Sequence, residues 1–154
     1  MTPIAYFKLQ AKNLLRDYKT RTSTIDVVDG QSHYAYDAKY FDIDAIFVDF
    51  DWDEDDFSLM KAQHAIAILA GFRKWADLAK ASSVELELAK LLFDHQDKMN
   101  AEEWAEYVAR AEHDNKTTFD AEARLEIYKQ VVLRDDGPRS QFLDYRLMGK
   151  DVLR

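Results

Sequence analysis

A run of acidic residues in the first half of the chain has the residue types and spacing that come nearest to a metal site. Asp49, Asp51 and Asp53 have the spacing of the first three ligands of a calcium loop, whose alternating carboxylates converge on a hard cation. Such a loop needs glycine at its sixth position and a bidentate glutamate at its twelfth, but this chain has Glu54 and Met60 there. The pattern therefore favours a negatively charged approach to the next helix, where each carboxylate interacts with the helix dipole by about 0.3–1 kcal/mol. The alternative hypothesis is a contact with a cation or a partner through Asp49, Asp51, Asp53, Asp55 and Asp56.

Other chemically active residues are present without the arrangements that catalysis needs. The chain has no cysteine, which excludes disulfides, thiolate zinc sites and cysteine nucleophiles. The histidines form neither a His-Glu-x-x-His nor a Glu-x-x-His motif, and the sequence has no phosphate-binding glycine loop or nucleophile elbow. We therefore predict no catalytic residue, no cofactor and no metal ligand. The four histidines are His33, His64, His95 and His113.

Basic residues offer a candidate contact with nucleic acid or with a partner. A helix-turn-helix needs a small residue four positions before its turn glycine, and Ala67 and Gly71 have this spacing. Against this interpretation, Asp77 stands where an apolar contact is expected, and the acidic run would repel phosphate. For the amino-terminal charges, the solvated face of an amphipathic helix is the simpler interpretation. The candidate contact residues are Lys8, Lys12, Arg16, Lys19, Arg73 and Lys74.

The elements that position these residues are predicted to be helices. Hydrophobic residues make up 47% of the 154 residues, while only 4 Gly and 2 Pro occur, a composition typical of helices with short connections. Ser82 with Glu85, and Asn100 with Glu103, have the spacing of capping boxes at helix starts. We predict an all-α fold: a compact bundle of about five to seven helices with one long acidic loop region, in a single domain over residues 1–154.

The centre of this predicted bundle lies between Ser58 and Ala81. Ser58 can cap a helix, and Gly71 can adopt the left-handed conformation that ends it. After the glycine, Phe72 and Trp75 begin a second apolar stripe at helical spacing. We expect these aromatic side chains to fill the core at a tight corner between two helices.

Two segments before this centre have weaker patterns. Residues Thr22 to Tyr36 lose the helical period around the turn signal at Asp29-Gly30, and we expect a long loop there. A short strand around Ile25 would have no partner for its backbone groups. Residues Asp37 to Asp56 fit both a strand and a helix period, and the helical neighbourhood favours a short helix.

Three pieces of the sequence resemble a helical module of bacterial glyoxalase-related proteins. In that module an Ala-Lys-x-Leu helix precedes a Leu-rich helix ending in Gly-Phe-x-x-Trp-x-x-Leu. The matching pieces are Ala11 to Leu14, Leu59 to Ala70 and Gly71 to Leu78, together about a quarter of the chain. The resemblance implies a shared helical accessory module and does not extend to lyase activity. The chain also looks similar to uncharacterised bacterial proteins.

Charge is distributed unevenly along the chain. Residues 1–22 have a formal balance of +4 and residues 23–57 a balance of −10, within a total of −8. This polarity suits steering towards a macromolecular partner more than it suits chemistry. We predict a non-catalytic binding or adaptor protein in the cytoplasm, with a protein partner and no membrane association. The alternatives are a DNA-associated regulator that uses residues 1–22 and the helix after Gly71, and a metal-dependent enzyme at residues 49–56.

Overall fold

A computed structural model describes residues 1–147, which form seven helices and one small sheet. The chain divides into two compact units. Unit 1 contains Met1–Phe7 and Gln63–Asp144, and unit 2 contains Lys8–Ala62 and the residues from Tyr145 onwards. The prediction of a mostly helical protein is confirmed. The prediction of one domain over residues 1–154 stays a prediction, and its last seven residues lie outside the described part.

The elements follow one another with short connections. The amino-terminal half contains α1 (Pro3–Tyr18), β1 (Thr22–Ile25), β2 (Ser32–Ala35), α2 (Ile43–Phe50) and α3 (Leu59–Leu69). The carboxyl-terminal half contains α4 (Trp75–Lys80), α5 (Ser83–Asp94), α6 (Ala101–Asn115) and α7 (Ala121–Val131).

Local hydrogen bonds fix the helix starts that the sequence predicts. At α5, the Ser82 hydroxyl accepts the N–H of Glu85, and the Glu85 carboxylate accepts the N–H of Ser82 in return. At α6, Asn100 and Glu103 make the same reciprocal pair. Both capping boxes are confirmed, and they satisfy donors that the first turn of a helix leaves free.

The core of unit 1 is formed by helices α5, α6 and α7. The ring of Trp104 meets the ring of Tyr128 edge to face, with centroids 5.2 Å apart. Tyr128 is fully buried, and its hydroxyl donates a hydrogen bond of 3.3 Å to the Leu91 carbonyl. Around these rings pack buried Leu88, Leu92, Val108, Leu125 and Val132.

The core of unit 2 is aromatic. Tyr18, near the end of α1, lies 4.8 Å from Phe57 and 5.7 Å from Phe47, measured between ring centroids. Phe47 belongs to α2, whose first turn is capped because the Asp42 side chain accepts the N–H of Ala45. The short helix predicted within residues 37–56 is therefore confirmed.

The sheet corrects the all-α prediction. Strands β1 and β2 pair antiparallel, with Thr22 opposite Ala35 and Ile25 opposite Ser32. Both strands lie inside the segment that was expected to be a long loop, on either side of the predicted Asp29-Gly30 turn. The objection that one strand lacks a partner fails because the turn returns the chain to supply that partner.

The corner after α3 also differs from the prediction in part. Gly71 adopts a φ of +97°, as predicted for a residue that ends the helix. However, α4 begins only at Trp75 and contains six residues. Trp75 is half-buried rather than part of the closed core, because a short helix covers only one side of its indole.

Candidate binding groove

A half-open groove of about 520 Å³ lies within unit 1. This volume falls in the range of ligand-binding pockets, roughly 300–1,000 Å³. Its walls are mostly apolar: Phe72, Trp104 and Phe119 contribute aromatic surface, and α5 and α6 contribute leucine, valine and alanine side chains. Such a lining, with few polar groups, suits recognition of an apolar surface.

Helical periodicity places the two long walls of the groove. On α5 the lining residues include Leu88, Ala89 and Leu92, at spacings of one, three and four residues that share one helix face. On α6 Ala105 and Ala109 lie four residues apart, and both are exposed. Because alanine side chains are short, they leave open volume where larger residues would fill it.

Gly71 lies at one end of the groove. A side-chain carbon at position 71 would lie 3.4 Å from Leu92 Cδ1 and 3.7 Å from Ala101 Cβ. Leu92 is the last lining residue of α5, and Ala101 is the first lining residue of α6. The α6 wall then continues to Glu112, eleven residues or about 17 Å along the helix at 1.5 Å per residue. The groove therefore has the length of about three helical turns.

Charged groups lie among the remaining lining residues. Glu112 Oε2 accepts the N–H of Phe119 at 2.7 Å and lies 3.4 Å from Arg124 Nη2. Arg124 Nε is buried without a hydrogen-bond partner. Glu85 also lines the groove and already bonds the backbone of Ser82. These side chains are held by the protein itself, so they position the walls rather than act on a reacting group.

The helices that form the groove are acidic overall. Between Ser83 and Glu126 the sequence has twelve Asp or Glu and five Lys or Arg, a formal balance of −7. This is a steeper local imbalance than the total of −8 over 154 residues suggests. A binding partner with basic residues beside its apolar surface would be attracted to this face.

Basic residues predicted as contacts lie in two places. Lys8, Lys12 and Arg16 are exposed on α1 at spacings of four residues, and Lys19 follows the helix. All four belong to unit 2. In unit 1, Arg73 and Lys74 are exposed in the turn before α4. The second set is therefore not on a helix, as the helix-turn-helix interpretation required.

The predicted acidic contact residues have separate local roles in unit 2. Asp51 ends α2 with a φ of 53°, and its N–H bonds the carbonyls of Phe47 and Val48. Asp53 Oδ1 accepts the N–H of Asp55 at 2.8 Å. These two aspartates shape the turn that follows α2.

The outer members of the acidic run contact other partners. The Asp49 carboxylate accepts a hydrogen bond from the Tyr145 hydroxyl. Asp56 lies 3.0 Å from the ammonium group of Lys61. Within residues 1–147, the acidic run does not bring three ligand atoms to one point, as a calcium loop would. One group of three ligand atoms forms elsewhere in this part of the chain, on the β-hairpin.

A tyrosine and arginine cluster anchors the acidic run to the hairpin of unit 2. The Arg21 guanidinium lies 4.5 Å from the centroid of the Tyr34 ring and 3.4 Å from Asp55 Oδ1, and it also donates to the Glu54 carbonyl. Tyr36 donates its hydroxyl proton to Glu54 Oε2 at 2.5 Å. Burial, and then this hydrogen bond, raise the pKa of Tyr36 above its usual 10.0. The phenol therefore keeps its proton at neutral pH and acts as a hydrogen-bond donor.

The groove was not found from the sequence. Its alanines at helical spacing look like ordinary apolar positions, and nothing local shows that the opposite wall leaves room. The signal that existed was the run of alanines along one face of α6.

Comparisons with protein-family models, curated proteins and solved structures give no match to the chain. The resemblance to bacterial glyoxalase-related proteins stays a prediction. None of the helices within residues 1–147 has the length and apolar character needed to cross a membrane. The cytoplasmic location stays a prediction.

Proposed function

We propose that this chain is a non-catalytic binding protein whose groove in unit 1 holds an apolar, basic segment of a partner protein. The observation that carries the proposal is the apolar groove along α6, set in helices with a formal balance of −7. An amphipathic helix that lies in such a groove inserts residues at positions i, i+3, i+4 and i+7. The length of about 17 Å along the α6 wall fits about three turns of a partner helix.

The energetics favour this type of partner. Each leucine-sized side chain that becomes fully buried contributes about 1.5–3 kcal/mol. Two or three such side chains offset the entropy lost on association, and basic residues beside them accelerate encounter with the acidic face. The half-open shape gives access to a segment of chain, which a closed cavity would not.

A model peptide provides the test. The probe is a 14-residue helix of leucine and lysine, with leucine at i, i+3, i+4 and i+7, and its counterpart has glutamate at every lysine position. We expect calorimetry to show binding of the lysine peptide and at least about tenfold weaker binding of the glutamate peptide, because like charges repel.

A groove-filling variant locates the binding. Ala105→Leu with Ala109→Leu fills the groove from exposed helix positions, and leucine is nearly as good a helix former as alanine. Ala79→Leu, on an exposed position of α4 outside the lining, is the matched control. We expect the double variant to lose binding of the lysine peptide and the control to keep it. Equal binding by both variants, or no binding of the lysine peptide, would overturn the proposal.

Nucleic-acid binding is a second candidate, favoured by one observation. Lys8, Lys12 and Arg16 are exposed along one face of α1, where they can contact successive phosphates. Such contacts would supply affinity without sequence specificity. A mobility-shift assay at low salt tests this candidate with Lys12→Glu and Arg16→Glu, and the absence of a shift by the unmodified protein removes it.

A further inference from the structure

Two carboxylates and an imidazole converge on the β-hairpin of unit 2. His33 Nε2 lies 3.4 Å from Asp29 Oδ2 and 3.7 Å from Asp26 Oδ2. The three ligand atoms all lie within 4.8 Å of one another. The sequence alone did not show this group, because strand pairing brings His33 back beside residues that precede the turn.

Hairpin backbone bonds hold both carboxylates in place. Asp26 Oδ1 accepts the N–H of Val28 at 2.7 Å, and Asp29 Oδ1 accepts the N–H of Gln31 at 2.8 Å. Each aspartate therefore uses one oxygen to fix its side chain and turns the other towards His33. The ladder at Thr24, opposite His33, fixes the position of the imidazole.

The spacing suits a shared cation better than direct pairing. A charge-assisted hydrogen bond between nitrogen and a carboxylate oxygen is about 2.7–2.9 Å long, shorter than either separation here. In a tetrahedral zinc site with metal–ligand bonds of about 2.1 Å, neighbouring ligand atoms are about 3.4 Å apart. The two measured distances from His33 Nε2 lie near that value.

We propose that Asp26, Asp29 and His33 form a binding site for a divalent transition metal of the zinc type. Imidazole nitrogen with carboxylate oxygen suits zinc, cobalt and nickel, whereas calcium and magnesium prefer oxygen ligands alone. Three protein ligands leave a fourth position for water or for a ligand from another molecule. The site is independent of the groove and of the acidic run at residues 49–56.

Titration of the full-length protein with zinc chloride tests the site. We expect calorimetry to give one zinc ion per chain, and cobalt chloride to give the intense visible absorption of a tetrahedral centre. His33→Gln and Asp29→Asn should each weaken zinc binding by at least about tenfold, since even changes to residues behind a metal ligand cost 10–100-fold. All three ligand positions are at least partly exposed, and circular dichroism checks that each variant folds.

Matched controls separate this site from general binding to surface histidines and acids. His113→Gln changes an exposed histidine on α6, and Asp37→Asn changes an exposed aspartate of unit 2 outside the group. Both controls should bind zinc as the unmodified protein does, and amide NMR shifts on adding zinc should concentrate in residues 26–33. Absence of zinc binding, unchanged affinity in His33→Gln, or shifts centred elsewhere would each overturn the proposal.

Discussion

Asp17 is a buried carboxylate on which a large part of unit 2 depends, and its removal should destabilise the fold strongly. Only 1% of Asp17 is exposed. Its two oxygens accept three consecutive backbone N–H groups, from Lys39 at 3.1 Å, Tyr40 at 2.8 Å and Phe41 at 2.9 Å. These bonds connect the last turn of α1 to the segment immediately before α2.

The expected magnitude follows from the number of donors. A hydrogen bond to a charged group contributes about 1.5–3 kcal/mol net, and a buried donor left unpaired costs about 1–3 kcal/mol. Because the three bonds share one side chain and water enters the space that it leaves, the costs do not simply add. We expect Asp17→Ala to lower the free energy of unfolding by about 3–5 kcal/mol, as when one partner of a buried ionic contact is removed. Asp17→Asn keeps one acceptor oxygen and should lose about half as much.

Urea denaturation followed by circular dichroism measures the loss, and amide hydrogen exchange locates it. Exchange should accelerate most in residues 39–47, whose backbone the carboxylate holds. Asp37→Ala is the control, because this exposed aspartate should change the unfolding free energy by about 0.5 kcal/mol or less. A loss below about 1 kcal/mol for Asp17→Ala would refute the reasoning, since it would mean that the three N–H groups find equivalent partners without the carboxylate.

Three further substitutions test other local features. Gly71→Ala should lower the unfolding free energy by about 1–2 kcal/mol, because alanine is strained at positive φ; an unchanged urea midpoint would contradict this. Ser82→Ala should cost about 1 kcal/mol by leaving the N–H of Glu85 without its acceptor, and Ser83→Ala, outside the capping box, is the control. The raised pKa of Tyr36 means that the folded state keeps a proton which the unfolded state loses near pH 10, so stability should fall as pH rises above 10. Tyr36→Phe should make that fall shallower in denaturation series between pH 8 and 11, and an equally steep fall would remove Tyr36 as its cause.

The sequence was most informative where a single turn of chain determines the outcome. Ser82 with Glu85 and Asn100 with Glu103 define helix starts because donor and acceptor lie three residues apart. Gly71 ends α3 for an equally local reason, since few other residues tolerate its φ. Such features depend on neighbours along the chain and need no knowledge of the tertiary fold.

Features that depend on distant residues were missed or only partly predicted. The hairpin required knowing that Thr22 pairs with Ala35, and a strand of four residues carries little signal without its partner. Trp75 had the right period for a core residue, but periodicity gives a helix face and does not say how much covers it. Ala105 and Ala109 look the same in sequence whether a neighbouring helix packs on them or a groove remains open.

The structure also changes which acidic residues are available to a partner. The sequence places the strongest negative balance at residues 23–57, yet the carboxylates of Asp49, Asp55 and Asp56 already contact tyrosine, arginine or lysine side chains within unit 2. Charge that is paired within the protein contributes less to the field that a ligand meets, because each pair is nearly neutral at a distance. The groove helices have seven more acidic than basic residues, so pairing among them leaves an excess. Electrostatic attraction of a basic partner should therefore be centred on α5 to α7, although the sequence alone pointed to the acidic run.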